Sequence, residues 1–113
     1  MVLIEDFVAK IQGRLLVSVQ ALPNTPLDDP QILSAIAKSV DLAGAAALRV
    51  NGSANIAAIR KVSKRPIIGI HKTQDRKKTF ITPRFEYAKE IAAAGADIIA
   101  LQATAPRLGH HTC

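Results

Sequence analysis

Four polar side chains, Gln20, Arg49, Lys72 and Gln102, stand at or just beyond the ends of short apolar runs. Pro66-Ile-Ile-Gly-Ile-His-Lys72 ends in an amine that can take and give a proton, and Ala94-Gly-Ala-Asp-Ile-Ile-Ala-Leu-Gln-Ala-Thr104 carries Gln102. Buried parallel strands read as apolar runs of this kind, and barrels built from them assemble their chemistry at the C-terminal strand ends. A single strand-end lysine is ordinarily just solvated. Its shared placement with an arginine and two amides makes Lys72 a candidate acid/base group and Arg49 a candidate holder of negative charge. Alternation puts Ile68, Ile70 and Lys72 on one face of their strand and His71 on the other, so His71 reads as a packing residue beneath the following helix.

The net charge of +6 owes much to Arg60, Lys61, Lys64, Arg65, Lys72, Arg76, Lys77, Lys78 and Arg84, which points to an anionic partner near the third strand. No nucleic acid is expected, because Phe7, Phe80, Phe85 and Tyr87 are the only aromatics and none is interleaved in the basic run 76–78. A small phosphorylated ligand needs no stacking platform. With 49% hydrophobic and 21% charged residues the chain reads as one soluble globular domain. No run approaches the roughly 20 apolar residues of a membrane helix, so no membrane is expected. Glu5 and Asp6 occupy the place of a signal peptide's basic region, and Cys113 has no partner for a disulfide, so the expected setting is reducing and cytoplasmic. The terminal Gly109-His-His-Thr-Cys113 is not read as a metal site, since adjacent histidines point apart in an extended chain.

The elements that would position these groups alternate. Apolar residues at Ile4, Phe7, Val8 and Ile11 predict a helix over 4–12, stopped by Gly13, and then a strand over 15–19. Asp29 as cap and Pro30 in the first turn predict a helix over 30–42. Strands are predicted over 46–50, 66–70 and 97–101. Ser53 is expected to cap a helix over 53–61, and Pro83 to open one over 83–94. Between them, 73–82 reads as a polar, basic loop. Ala43-Gly44-Ala45 precedes one strand and Ala94-Gly95-Ala96 another, as successive right-handed βα units would repeat.

Ser18-Val-Gln-Ala21, Pro26-Leu27, Arg49-Val-Asn-Gly52, Pro66-Ile-Ile-Gly-Ile-His-Lys72, Ile81-Thr-Pro83 and Ala94-Gly-Ala-Asp-Ile-Ile-Ala-Leu-Gln-Ala-Thr104 follow one another in an order and spacing that resembles the N-acylmannosamine-6-phosphate 2-epimerases. The resemblance covers about residues 11–105. It implies an α/β fold of parallel (β/α) TIM-barrel type and conversion of N-acetylmannosamine 6-phosphate to N-acetylglucosamine 6-phosphate, a step of sialic acid degradation. The proton at C2 would be removed and replaced, without metal or organic cofactor. It further implies Lys72 as a catalytic acid/base, and Arg49, Gln20 and the position of Gln102 as lining the substrate site. Inverting a centre beside a carbonyl requires proton removal on one face, delivery on the other and stabilisation of the enolate between. Lys72 would have to act as a neutral amine, which burial near Arg49 would favour.

The chain departs from the family pattern in three respects. Gln102 stands where the family has an aspartate, a later-strand glutamate that serves as second catalytic residue has no counterpart, and the late loops that grip phosphate are absent. Asp75 is the nearest carboxylate in sequence to Lys72 but sits in a loop. A complete barrel has eight strands and typically about 250 residues, so only the first four strands are expected, a half-barrel over 1–105 followed by a divergent tail over 106–113. This organisation suggests a gene fragment or frameshifted product, inactive alone, joined to a second copy or to a complementing half-barrel. The alternative is a non-catalytic half-barrel that binds a sugar phosphate or a protein.

Overall fold

In the computed structural model, which describes residues 4–73 and 81–103, helix α1 (Ile4–Ile11) precedes β1 (Leu16–Val19), α2 (Pro30–Leu42), β2 (Ala47–Asn51), α3 (Ser53–Val62), β3 (Ile67–Ile70), α4 (Phe85–Ala94) and β4 (Ile98–Ile99). Asp75, the basic run 76–78 and the tail from 104 lie outside the described residues. The start of α2 is the one the sequence predicts: the Asp29 carboxylate accepts from the backbone N–H groups of Gln31 and Ile32, with Pro30 in the first turn. Two other starts differ. Gly52, not Ser53, stands at the N-cap of α3, and no side chain caps it. Helix α4 begins at Phe85 after an extended Arg84, because Thr82 is still bonded to the sheet and the chain must clear it before coiling.

The strands form one parallel sheet in the order β1-β2-β3-β4. Helix α2 packs on α3, and α3 on α4. Consecutive right-handed crossovers with no reversal of strand order keep the crossover helices α2, α3 and α4 on one face, whereas a doubly wound sheet reverses and uses both. This is the α/β layout of three successive βα units and a fourth strand of a TIM-type barrel. The register Val19↔Val50 and Leu48↔Ile67 stacks Val17, Val19, Leu48, Val50 and Ile67 on the helix face. There they meet Leu33, Ala37, Ile56, Ile59 and Ile91 in the buried core, each large side chain contributing about 1.5–3 kcal/mol of apolar burial. Gly69 leaves the space that Ile56, Ile91 and Ala96 fill; a Cβ there would stand 2.7 Å from that of Ala96.

The repeated Ala-Gly-Ala is a helix stop. At the end of α2 the amides of Gly44 and Ala45 donate to Asp41 and Val40 carbonyls, and at the end of α4 those of Gly95 and Ala96 donate to Ala92 and Ile91, with glycine φ of 103° and 120°. Both are Schellman motifs. At this N-terminal end of the sheet, Arg60 bonds Asp97 at 2.8 Å and the carbonyls of Gly95, Ser63 and Arg65, while the same carboxylate oxygen accepts from Ile67 N–H at 2.9 Å. Arg65 bonds Asp41 at 2.9 Å beside Ser63. Two cations of the presumed anion-binding group are therefore internal ties, at the opposite end of the sheet from Lys72.

Candidate functional site

The register decides which polar residues share a surface. Arg49 pairs across to Ser18 and Ile68, and Asn51 to Ile70, so all face away from the helices, the side that lines the interior of a closed barrel. Counting on from Ile70, Lys72 falls on this inner face. Gln20 lies one residue past β1 and is held on the same side, its Nε2 donating to Ser18 Oγ at 2.6 Å. Gln102 lies three residues past β4, half-buried.

Arg49 differs from expectation in height. Strand β2 runs to Asn51, so Arg49 sits inside the strand rather than at its end, because Asn51 still pairs with Ile70. Its half-buried guanidinium has no hydrogen bond or ion pair among the described residues. Lys72 is exposed, and its amide donates to Asn51 Oδ1 at 2.9 Å, which ties the end of β3 to β2. The four described strands alone do not bury it. His71 turns to the other face, where its ring stacks on Tyr87 of α4 at 3.9 Å and 4°, leaving a buried Nδ1 without a hydrogen-bond partner among the described residues.

Strand β4 is shorter than the predicted 97–101. Its last ladder bond is Ala100 N–H to Gly69 carbonyl at 3.0 Å, beyond which residues 81–82 enter between the two strands. Ile81 bridges antiparallel to Lys72 and accepts from Gln102 N–H at 3.0 Å, and Thr82 bonds both His71 and Ala100. Asn51 and Thr82, both within motifs that carried the resemblance, are the structural partners that sequence reasoning missed. Asn51 was detectable, since it lies two residues from Arg49 and so on its face.

The inner face thus carries two cations, Arg49 and Lys72, and two amides, Gln20 and Asn51, while Gln102 stands past the end of β4; with strands about 4.8 Å apart, only a curled sheet brings Gln20 and Gln102 to one small ligand. It can hold an anion and offer one acid/base group. Among the described residues no set of three or more His, Cys, Asp or Glu is grouped to hold a metal ion. No described helix is long and apolar enough to cross a membrane.

The family model described as "Putative N-acetylmannosamine-6-phosphate epimerase" matches residues 33–110. A protein of Thermosynechococcus vestitus named "Putative N-acetylmannosamine-6-phosphate 2-epimerase" is 48% identical over 101 residues, covering 88% of this chain and 44% of that protein. One of the same name from Shigella sonnei is 45% identical over 93 residues, covering 81% and 41%. The solved N-acetylmannosamine-6-phosphate 2-epimerase from Clostridium perfringens superposes with a TM-score of 0.78 at 36% identity, over 85% of this chain and 42% of the other. The chain spans less than half the length of these relatives.

Proposed function

The chain belongs to the N-acetylmannosamine-6-phosphate 2-epimerase family, and from that premise we propose that it supplies one proton-transfer half of a site that interconverts N-acetylmannosamine 6-phosphate and N-acetylglucosamine 6-phosphate. Lys72 removes or returns the proton at C2 of the open-chain sugar, beside its carbonyl. Arg49 faces the negative charge, on the enolate oxygen or the phosphate, and Gln20 and Gln102 donate amide hydrogens to the sugar. No metal or organic cofactor is required by these steps. The observation that carries this is the common face of Arg49 and Lys72, fixed by strand register and by the Asn51 tie.

A single base works on one face of the enolate, so inversion needs a second group from outside the described residues. Residues 1–105 are proposed as the N-terminal half of the barrel domain, with 106–113 as a tail, and a complementing half-barrel as the partner. A second copy fits less well, because pairing two inner faces would bring together two Arg49 side chains with no carboxylate among the described residues of those faces. A cytoplasmic setting suits a sugar-phosphate substrate.

The exposure of Lys72 favours a second reading, a half-barrel that binds the phosphosugar without turning it over. An NMR titration of the chain with N-acetylmannosamine 6-phosphate separates these outcomes. Shifts at Gln20, Asn51 and Lys72 that Arg49→Ala weakens at least tenfold, together with exchange of the C2 proton, are expected. Binding without exchange selects the second reading. No binding, or binding that inorganic phosphate reproduces in full, contradicts both.

A further inference from the structure

Thr82 is a buried β-branched residue in the left-handed region, with φ of 47° and 6% of its surface exposed. Such a backbone is disfavoured for threonine and persists only where surrounding bonds over-determine it. Here three do. The Thr82 amide donates to the His71 carbonyl at 2.7 Å, its Oγ1 accepts from His71 N–H at 3.1 Å, and the same hydroxyl donates to the Ala100 carbonyl at 2.7 Å. One hydroxyl therefore joins the residue before Lys72 to the residue two before Gln102. Ile81 adds the bridge to Lys72 and the bond from Gln102 N–H.

These contacts lie where direct β3–β4 pairing stops. Beyond the Gly69–Ala100 bond no backbone ladder bond joins β3 and β4 among the described residues, and residues 81–82 stand between them. We propose that Thr82 is a positioning residue, a clamp whose hydroxyl and left-handed backbone fix Lys72 relative to Gln102. It acts through His71 and Ala100 rather than by touching substrate. The catalytic meaning of the clamp rests on the reading proposed above, while the clamp itself does not.

Backbone amide hydrogen exchange by NMR on the full chain tests this without substrate. In Thr82→Val, which keeps shape and loses the hydroxyl, the His71 and Gln102 amides should exchange at least tenfold faster while those of Leu48 and Val50 in the central strand keep their rates. Thr82→Ser should restore wild-type exchange. Thr82→Gly, which tolerates the left-handed backbone without strain, should behave as Thr82→Val and decides the matter where the valine variant does not fold. Unchanged rates at His71 and Gln102, failure of serine to rescue, or equal loss of protection at Leu48 and Val50 in the glycine variant would overturn the clamp. Deuterium incorporation at C2 of N-acetylmannosamine 6-phosphate, read in the same samples, reports separately on the chemistry, so loss of one inference is distinguishable from loss of the other.

Discussion

Asp41 shows how the neighbours of a single carboxylate set its charge and its contribution to the fold. The hydroxyl of Ser63 donates to it at 2.6 Å and Arg65 at 2.9 Å, and these two hydrogen bonds hold its pKa below the ordinary carboxylate value. A carboxyl whose folded pKa is depressed stabilises the fold above its unfolded pKa of about 3.9, and loses that contribution as pH falls through the lower folded value. Urea midpoints of wild type and Asp41→Asn should therefore differ at pH 6 and draw together as acid protonates Asp41; a difference that stays constant on acidification would contradict this account. At Gly69 the limit is space: with Ala96 Cβ 2.7 Å and Ile56 Cδ1 3.1 Å from a built Cβ, Gly69→Ala should lower stability by about 1–3 kcal/mol in denaturant unfolding. The basic residues were countable in sequence, but their use was not. Arg60 and Arg65 meet Asp97 and Asp41 across 37 and 24 residues, and such pairing is decided by topology.

Among the elements, the order of helices and strands and the opposite parity of Lys72 and His71 were legible because both depend on local periodicity. Element boundaries were less so where a distant bond intervened. Thr82, held by His71 and Ala100, postpones α4 past Pro83 and cuts β4 short, and nothing within five residues of Pro83 announces it. Asn51 extends β2 beyond the predicted end because Ile70 pairs with it. The two Ala-Gly-Ala stops look alike in sequence but should respond unequally to substitution. Gly44→Ala pays mainly for its positive φ, about 1–2 kcal/mol, with open space for the methyl group. Gly95→Ala pays that and meets Arg60 Cδ at 2.9 Å, so its thermal or urea unfolding should show the larger loss; equal losses would place no steric role on Arg60.

At the scale of the whole molecule, four parallel strands with the crossover helices α2, α3 and α4 on one face leave, among the described residues, an inner face that is partly open and β1 and β4 as the edges of the sheet. Leu16, on the inner face of β1, is 37% exposed, and Arg49 there is unpaired among the described residues. An edge invites association, but two Arg49 side chains facing each other with no carboxylate among the described inner-face residues argue against a tight two-fold closure. Sedimentation velocity in 0.15 M salt should give no discrete dimer that persists at micromolar concentration, and such a dimer would contradict the proposed complementing half-barrel. The chemistry has its own signature. A lone base on one face of C2 exchanges the proton with retention, because it takes and returns it from the same side. The most direct measurement is therefore NMR of N-acetylmannosamine 6-phosphate in deuterium oxide with the folded chain and its Lys72→Ala variant. The account predicts deuterium at C2 with the manno configuration kept, no gluco product, and no exchange with Lys72→Ala. Absence of exchange with the folded wild-type chain, or exchange that survives in the variant, would contradict Lys72 as the proton-transfer group.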